Sequence, residues 1–491
     1  MTLDATMDGI GDIAPHHPDN AARNRLVIGI LLVSTFVVFL NETIMSVAIP
    51  HLMNDLGVTA SAAQWLTTAF LLTMAVVIPV TGFLLQRMNT RPMFMIAMSV
   101  FSLGTLACAL APGLELLIAG RVVQAVGTAI MMPLLMTTVM TLVPAEGRGK
   151  TMGNISIVMS VAPAVGPTIG GFILAHYDWR FMFFFTLPIA LGTLVLGALR
   201  IRNVSSPRFA PLDILSVILS AIAFGGLVYG LSSLGEGAGH GAVIPAWLPI
   251  VVGLVVMSIF IARQFGLARQ DKALLDLRTL GHRNYTMALI TMAIAMVALL
   301  GSSILLPIYT QNVLGLGTLQ TGMILLPGGL LMGFLGPVVG RLFDRVGPRP
   351  LLVPGVVAVS AVMWALTLVS PQTPVWAVVV GHVVLSVGLA FTFTPLFTSS
   401  MSSVPAPLYS HASAILGSVQ QVAGAAGIAL FVAVMSLRSA AAASEGLEGV
   451  EALAAGIRSG FLCGAIISLL MVVAAFFVRR PAEGAPRMSG H

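Results

Sequence analysis

Residues 79–92 read Pro-Val-Thr-Gly-Phe-Leu-Leu-Gln-Arg-Met-Asn-Thr-Arg-Pro, and residues 337–350 read Pro-Val-Val-Gly-Arg-Leu-Phe-Asp-Arg-Val-Gly-Pro-Arg-Pro. Pro79, Gly82, Arg87, Arg91 and Pro92 thus recur as Pro337, Gly340, Arg345, Arg349 and Pro350, each 258 residues later. Pro133-Leu134 returns as Pro395-Leu396, 262 residues later. Chance could supply one such match. Collinear matches in the same kind of loop mark an internal repeat.

The repeated unit is built for lipid. Of 491 residues, 57% are hydrophobic and 9% charged, with a mean hydropathy of +0.99. A soluble domain needs about 25% charged residues to cover its surface. The net charge of +6 does not point to nucleic acid, because Lys and Arg are scattered between apolar runs rather than gathered on one face. Cys108 and Cys463 both lie inside apolar runs and form neither a disulfide framework nor a metal motif, so no metal or cofactor is expected.

A bilayer core about 30 Å thick takes roughly 20 apolar residues per helix. Runs of that length fall at about 26–50, 62–85, 93–111, 114–140, 149–175, 181–199, 213–233, 245–265, 284–309, 319–340, 350–369, 374–400, 412–437 and 457–478. With the N-terminus inside, 20 of the 24 Lys and Arg residues fall in cytoplasmic segments, so both termini are expected there. The repeat matches the second and fourth spans to the tenth and twelfth. The expected fold is all-α and integral to the membrane, with 14 transmembrane helices in two six-helix pseudo-symmetric bundles and two helices inserted between them. The corresponding division is a tail at 1–25, a bundle at 26–200, linkers and inserted helices at 201–283, a bundle at 284–478 and a tail at 479–491. Two like halves with a site at their interface is the plan of rocking-bundle transporters.

Glu42 stands near the outer end of the first run, in Leu40-Asn41-Glu42-Thr43. A carboxylate at such a depth costs roughly 2.5–3.5 kcal/mol on insertion scales, so it is rare without a task. Ser34, Thr35, Glu42 and Ser46 form one polar stripe at helical spacing, which turns Glu42 toward the bundle interior. Eight residues before Pro50 is about 12 Å, and Arg121, seven residues into the fourth run, is about 10 Å deep from the same surface. At a shared depth the two charges can couple if the first and fourth spans are neighbours. Arg121 snorkelling outward or bonding backbone carbonyls is the open alternative.

Several stretches resemble the major facilitator superfamily, and within it the fourteen-helix drug:proton antiporter branch, over about residues 26–478. Gly82, Arg87 and Arg91 look like that family's loop motif, and Gly340, Asp344, Arg345 and Arg349 like its second copy. The resemblance implies latches between the two halves at the cytoplasmic side. Gln86 stands where the first latch usually has an acid. Residues 162–171, Ala-Pro-Ala-Val-Gly-Pro-Thr-Ile-Gly-Gly, resemble the antiporter motif, with Pro163, Gly166, Pro167, Gly170 and Gly171. Small residues at this spacing let another helix approach closely, and two prolines remove helix hydrogen bonds. Arg121-Val122-Val123-Gln124-Ala125-Val126-Gly127 resembles the family's Arg-x-x-Gln-Gly-x-Gly, with Ala125 in place of the first glycine. The family's acid position in the first span corresponds to Asn41, so the acid here is displaced by one residue.

The resemblance implies export of amphipathic organic compounds in exchange for protons, from the cell membrane, by a monomer whose partners are substrate, protons and lipid. Glu42 and Arg121 are the candidate proton-coupling pair. Asn41, Gln124, Met132, His382 and Gln420 are candidate substrate contacts, with packing as the alternative for each. Import or export of one specific metabolite remains a rival reading. A membrane-embedded enzyme lacks support, since neither a His-Glu-x-x-His helix nor a phosphate loop is present.

Overall fold

A computed structural model describes residues 18–45, 48–204, 212–235, 245–447 and 449–480. Ser46 of the polar stripe, Arg208, Arg487 and most of both tails lie outside the described residues. The α-helices are α1 (Pro18–Met45), α2 (Ile49–Leu56), α3 (Ala60–Arg87), α4 (Thr90–Ala109), α5 (Leu114–Leu142), α6 (Arg148–His176), α7 (Arg180–Arg200), α8 (Ile214–Gly235), α9 (Trp247–Ala268), α10 (Arg283–Ile308), α11 (Thr318–Val346), α12 (Arg349–Leu366), α13 (Val375–Ser402), α14 (Tyr409–Ser444) and α15 (Val450–Ala475). No strand occurs among the described residues. Fourteen segments, all but α2, are long and apolar enough to cross a bilayer, and they fall on the fourteen runs read from the sequence.

The first span differs from its expected length. The run to Pro50 is not one helix: α1 ends at Met45, and Pro50 opens the second position of the short α2, which closes on Gly57 at φ 63°. Proline is well placed in a first helical turn, where its missing N–H has no partner to lose. Glu42 is therefore three residues, about 4.5 Å, from the last described residue of α1.

Helix packing repeats between the halves. α1 packs on α5, α6 and α7, α3 on α5, and α4 on α5 and α7; in the same way α10 packs on α13, α14 and α15, α11 on α13, and α12 on α13 and α15. Two seams join the halves, α6 against α11 and α3 against α14. The inserted α8 lies across the second seam, touching both α3 and α14, and α9 packs on α8.

Both seams are tightest at the end of the bundle that carries Arg87, Arg148 and Arg345. There Gly149 meets Gly340 and Gly153 meets Gly336 backbone to backbone, with no room for a Cβ at any of the four. At the other seam a Cβ on Gly82 would stand 3.1 Å from Ala414 Cβ and 3.2 Å from the Ser410 carbonyl. Toward the opposite end a Cβ added to Gly171 of α6 or to Gly322 of α11 would meet nothing within 4 Å. The conformation is closed at the arginine-rich end and parted at the other.

Candidate functional site

The buried polar centre is built on Arg121 of α5, which is 2% exposed. Its Nη1 donates to Asn41 Oδ1 at 3.4 Å and to Gln124 Oε1 at 3.2 Å, and its Nε donates to the Leu66 carbonyl at 3.4 Å. The guanidinium also lies 4.0 Å from the centre of the Phe70 ring. These contacts draw in α1, α3 and α5. Gln124 Nε2 donates onward to Thr105 of α4 at 2.8 Å, and Asn41 Nδ2 to Thr186 of α7 at 3.5 Å. Gly104 makes this reach short, because a Cβ there would stand 2.5 Å from the Gln124 nitrogen. Arg121 has no carboxylate within ion-pair distance among the described residues.

Glu42 is near enough for its charge to interact with that of Arg121, yet no ion pair or hydrogen bond holds it among the described residues. Asn41 and Thr43 flank it, both committed to packing. Asn41 faces α5 and α7, while Thr43 Oγ1 donates to the Ala162 carbonyl of α6 at 3.1 Å and sits against Gly166. One residue is about 100° of helix, so Glu42 points between these two directions and away from α7. It is partly exposed there, while Leu40, Asn41, Ile44 and Met45 are buried. The polar stripe does not continue as an open path: Ser34 and Thr35 are fully buried toward the closed end.

The two loop motifs act on equivalent helix starts. Asp344 accepts the backbone N–H groups of Gly149 at 2.8 Å and Lys150 at 2.9 Å, at the start of α6. Gln86 donates to the Pro407 carbonyl just before α14, at 3.2 Å. Arg91 and Arg349 work within their own halves, donating to the carbonyls of Ala198 and Phe476 at 2.7 Å each. They hold the last turns of α7 and α15, where carbonyls lack helical partners.

The antiporter-like stretch lies in an unbroken α6 that contains both Pro163 and Pro167. Gly166 is where α1 comes closest, Gly170 is buried and Gly171 faces open space. The tightest approaches between halves use Gly149 and Gly153, which the motif does not include. A small residue every fourth position in 149–153 and 336–340 was the available signal. Met132 is partly exposed, while Met136 and Met140, one and two turns further along α5, are core residues. Gln420 is partly exposed on α14.

By the packing of its glycines, though one residue off the 262-residue offset of the prolines, His382 takes the place in α13 that Arg121 occupies in α5. Gly127 lies against Ala97 and Phe101, and Gly388 lies in the same way against Gly355 and Val359. Gly388 stands six residues after His382, as Gly127 does after Arg121. Each basic residue is seven residues into its helix and donates to a carbonyl of the neighbouring one: Arg121 to Leu66, His382 Nε2 to Leu325 at 3.1 Å. A corresponding register sets Gly427 against Val297 where Gly166 meets Thr43, and so matches Glu42 with Met296. The second half has no acid there.

A second polar chain ties the inserted helices down. Arg263 donates to Asp213 at 2.8 and 3.0 Å, which holds that carboxyl down to about 2, with a further hydrogen bond from Ser216. Gln264, fully buried, donates to Ser216 and accepts the N–H groups of Leu274 and Leu275. Arg278 then closes on Asp276 and Asp271.

A profile of the Major Facilitator Superfamily matches residues 31–428. An MFS-type transporter of Bacillus subtilis strain 168, YcnB, is 38% identical, covering 94% of this chain and 97% of that protein. The lincomycin resistance protein LmrB of the same organism is 36% identical, over 92% and 95%. The crystal structure of the human organic anion transporter MFSD10 superposes with a TM-score of 0.65 at 14% identity, covering 92% of this chain and 99% of that one, a likeness of fold.

Proposed function

The chain belongs to the major facilitator superfamily, and we propose that it exports amphipathic organic compounds from the cell in exchange for protons. The observation that carries this reading is Glu42: an acid within the membrane, partly exposed, with no ion pair or hydrogen bond among the described residues while its neighbour Asn41 engages Arg121. An acid so placed can exchange its proton for a bound substrate without breaking a structural ion pair.

We take the arginine-rich end as cytoplasmic, which makes this conformation the outward-facing one. Residues 26–200 and 284–478 are taken as the two moving bodies. Substrate enters from inside while Glu42 is ionised. In the outward-facing form Glu42 takes a proton from outside and substrate leaves. The neutral carrier then rocks back and releases the proton within. Arg121, held by Asn41 and Gln124, sets the field in which Glu42 exchanges its proton, and Met132 and Gln420 supply adaptable surface for substrate. The chain works as a monomer in the cell membrane.

Lincomycin is the first compound to test, because a relative 36% identical over nearly its whole length carries it in its name. Everted vesicles containing the full chain, given an inward-acid pH gradient, should accumulate radiolabelled lincomycin and dissipate the gradient as they do so. Glu42→Gln should abolish the proton-linked uptake. Full coupling in that variant would overturn the reading.

A further inference from the structure

We propose that His382 is a positioning residue: by holding the Leu325 carbonyl, it fixes the path of α11 at the point where the two halves part. The contact between α6 and α11 runs from the arginine-rich end to Gly329, which abuts Ala164. Beyond that pair the seam opens. Both helices carry proline here, Pro327 in α11 and Pro163 and Pro167 in α6. Proline withdraws a backbone donor and leaves the helix locally easy to bend. His382 holds this stretch from behind. Its Nε2 donates to Leu325 at 3.1 Å, and its ring lies in the gap left by Gly328, where a Cβ would come within 2.6 Å of both His382 Cδ2 and Ser386 Oγ.

The same tether in the first half is the permanent cation Arg121, with Asn41, Gln124 and Phe70 around its charge. His382 has no such company. Its Nδ1 is buried without a partner. The helices packed on α13 bear ionisable side chains only toward their ends: Arg148, Lys150 and His176 on α6, Arg283 and Tyr285 on α10, Arg341, Asp344 and Arg345 on α11, Arg349 on α12, and Tyr409, His411 and Arg438 on α14. The imidazole therefore serves as a neutral donor, neither proton carrier nor substrate ligand. This assignment rests on the alternating-access reading above.

The test places spin labels at Gly171→Cys and Gly322→Cys, two open positions across the seam, in the full chain in lipid nanodiscs. His382→Leu should shift the ratio of parted to closed distances by about 2- to 12-fold, the worth of one hydrogen bond, and slow lincomycin export with its KM little changed. Gly328→Ala, which pushes the ring away, should act alike. His382→Gln keeps a donor and should restore the wild-type ratio, rate and pH profile. An unshifted ratio in His382→Leu, a failure of Gln to rescue, or an altered pH profile in His382→Gln would each overturn the proposal. The distances need neither substrate nor protons. Loss of proton coupling in the wild type would therefore sink the antiport reading and leave the tether standing.

Discussion

Arg121 and Asn41 are joined directly, Nη1 to Oδ1 at 3.4 Å, and the acid one residue further along α1 is left out of the bond. In the sequence, the acid nearest in depth was the expected partner of the arginine. In the structure an amide takes that place and the charge of Arg121 goes to oxygens and a ring.

Arg121→Lys keeps the charge and loses the fork. A lysine cannot donate at once to Leu66, Asn41 and Gln124, nor stack flat on Phe70. Charge-assisted hydrogen bonds are worth about 1.5–3 kcal/mol each, so export should fall by about tenfold or more. Initial rates of lincomycin uptake into everted vesicles measure this. A rate close to wild type would mean that charge alone matters at this position.

Asp344→Asn should loosen the closed end. The carboxylate accepts two N–H groups at the start of α6, where the helix dipole also favours negative charge; an amide offers one oxygen and turns an N–H₂ toward the other donor. Ser413→Cys, 1% exposed behind the second seam, should then react with a membrane-impermeant maleimide about tenfold faster from the arginine-rich side. Gln86→Glu should not compensate. It would aim a carboxylate at the Pro407 carbonyl, which is itself an acceptor.

The spans were legible because some 20 apolar residues in a row have few uses other than crossing a bilayer, and the repeat was legible because proline, glycine and arginine in a short loop tolerate few substitutes. The break before Ile49 was not, since the run stays largely apolar up to Pro50. The separation of Glu42 from Arg121 could not be read from the stripe. That depends on which face of α1 meets α5, a fact of packing rather than of composition. Gly149 and Gly153 escaped notice because they open the fifth run ahead of the stretch 162–171 that carries the resemblance, and two small residues four apart do not say which helix they will meet. Gln264 escaped because one amide in an apolar run says nothing of the loop it will bind.

Asp213 gives a pH test outside the membrane. Its carboxyl is held at about 2, below the ordinary 3.8, chiefly by the hydrogen bond from Arg263. A depressed value means that the bridge stabilises fully above pH 3.8 and is lost as pH falls through about 2. Asp213→Asn should therefore lower the thermal midpoint at neutral pH by the equivalent of about 1 kcal/mol, given partial exposure of the pair. The difference from wild type should vanish near pH 2. A difference that persists there would place the effect in packing instead of charge.

Gly153→Val tests whether closure at the arginine-rich end is part of the cycle. Gly153 lies directly on the Gly336 carbonyl and any Cβ would collide with it; the partner is backbone and cannot rotate away. Overpacking of this kind costs about 1–3 kcal/mol, and the cost falls only on the conformation in which α6 and α11 touch here. The form open at the arginine-rich end escapes it. The variant should thus fold and bind lincomycin from that side, while export falls by about 5- to 150-fold as the closed form becomes scarce. Gly171→Ala in the same helix meets nothing within 4 Å and should export within about twofold of wild type. Spin-label distances across the arginine-rich end separate the outcomes: a Gly153→Val population that remains closed there would show that the two glycines are packing conveniences rather than a gate.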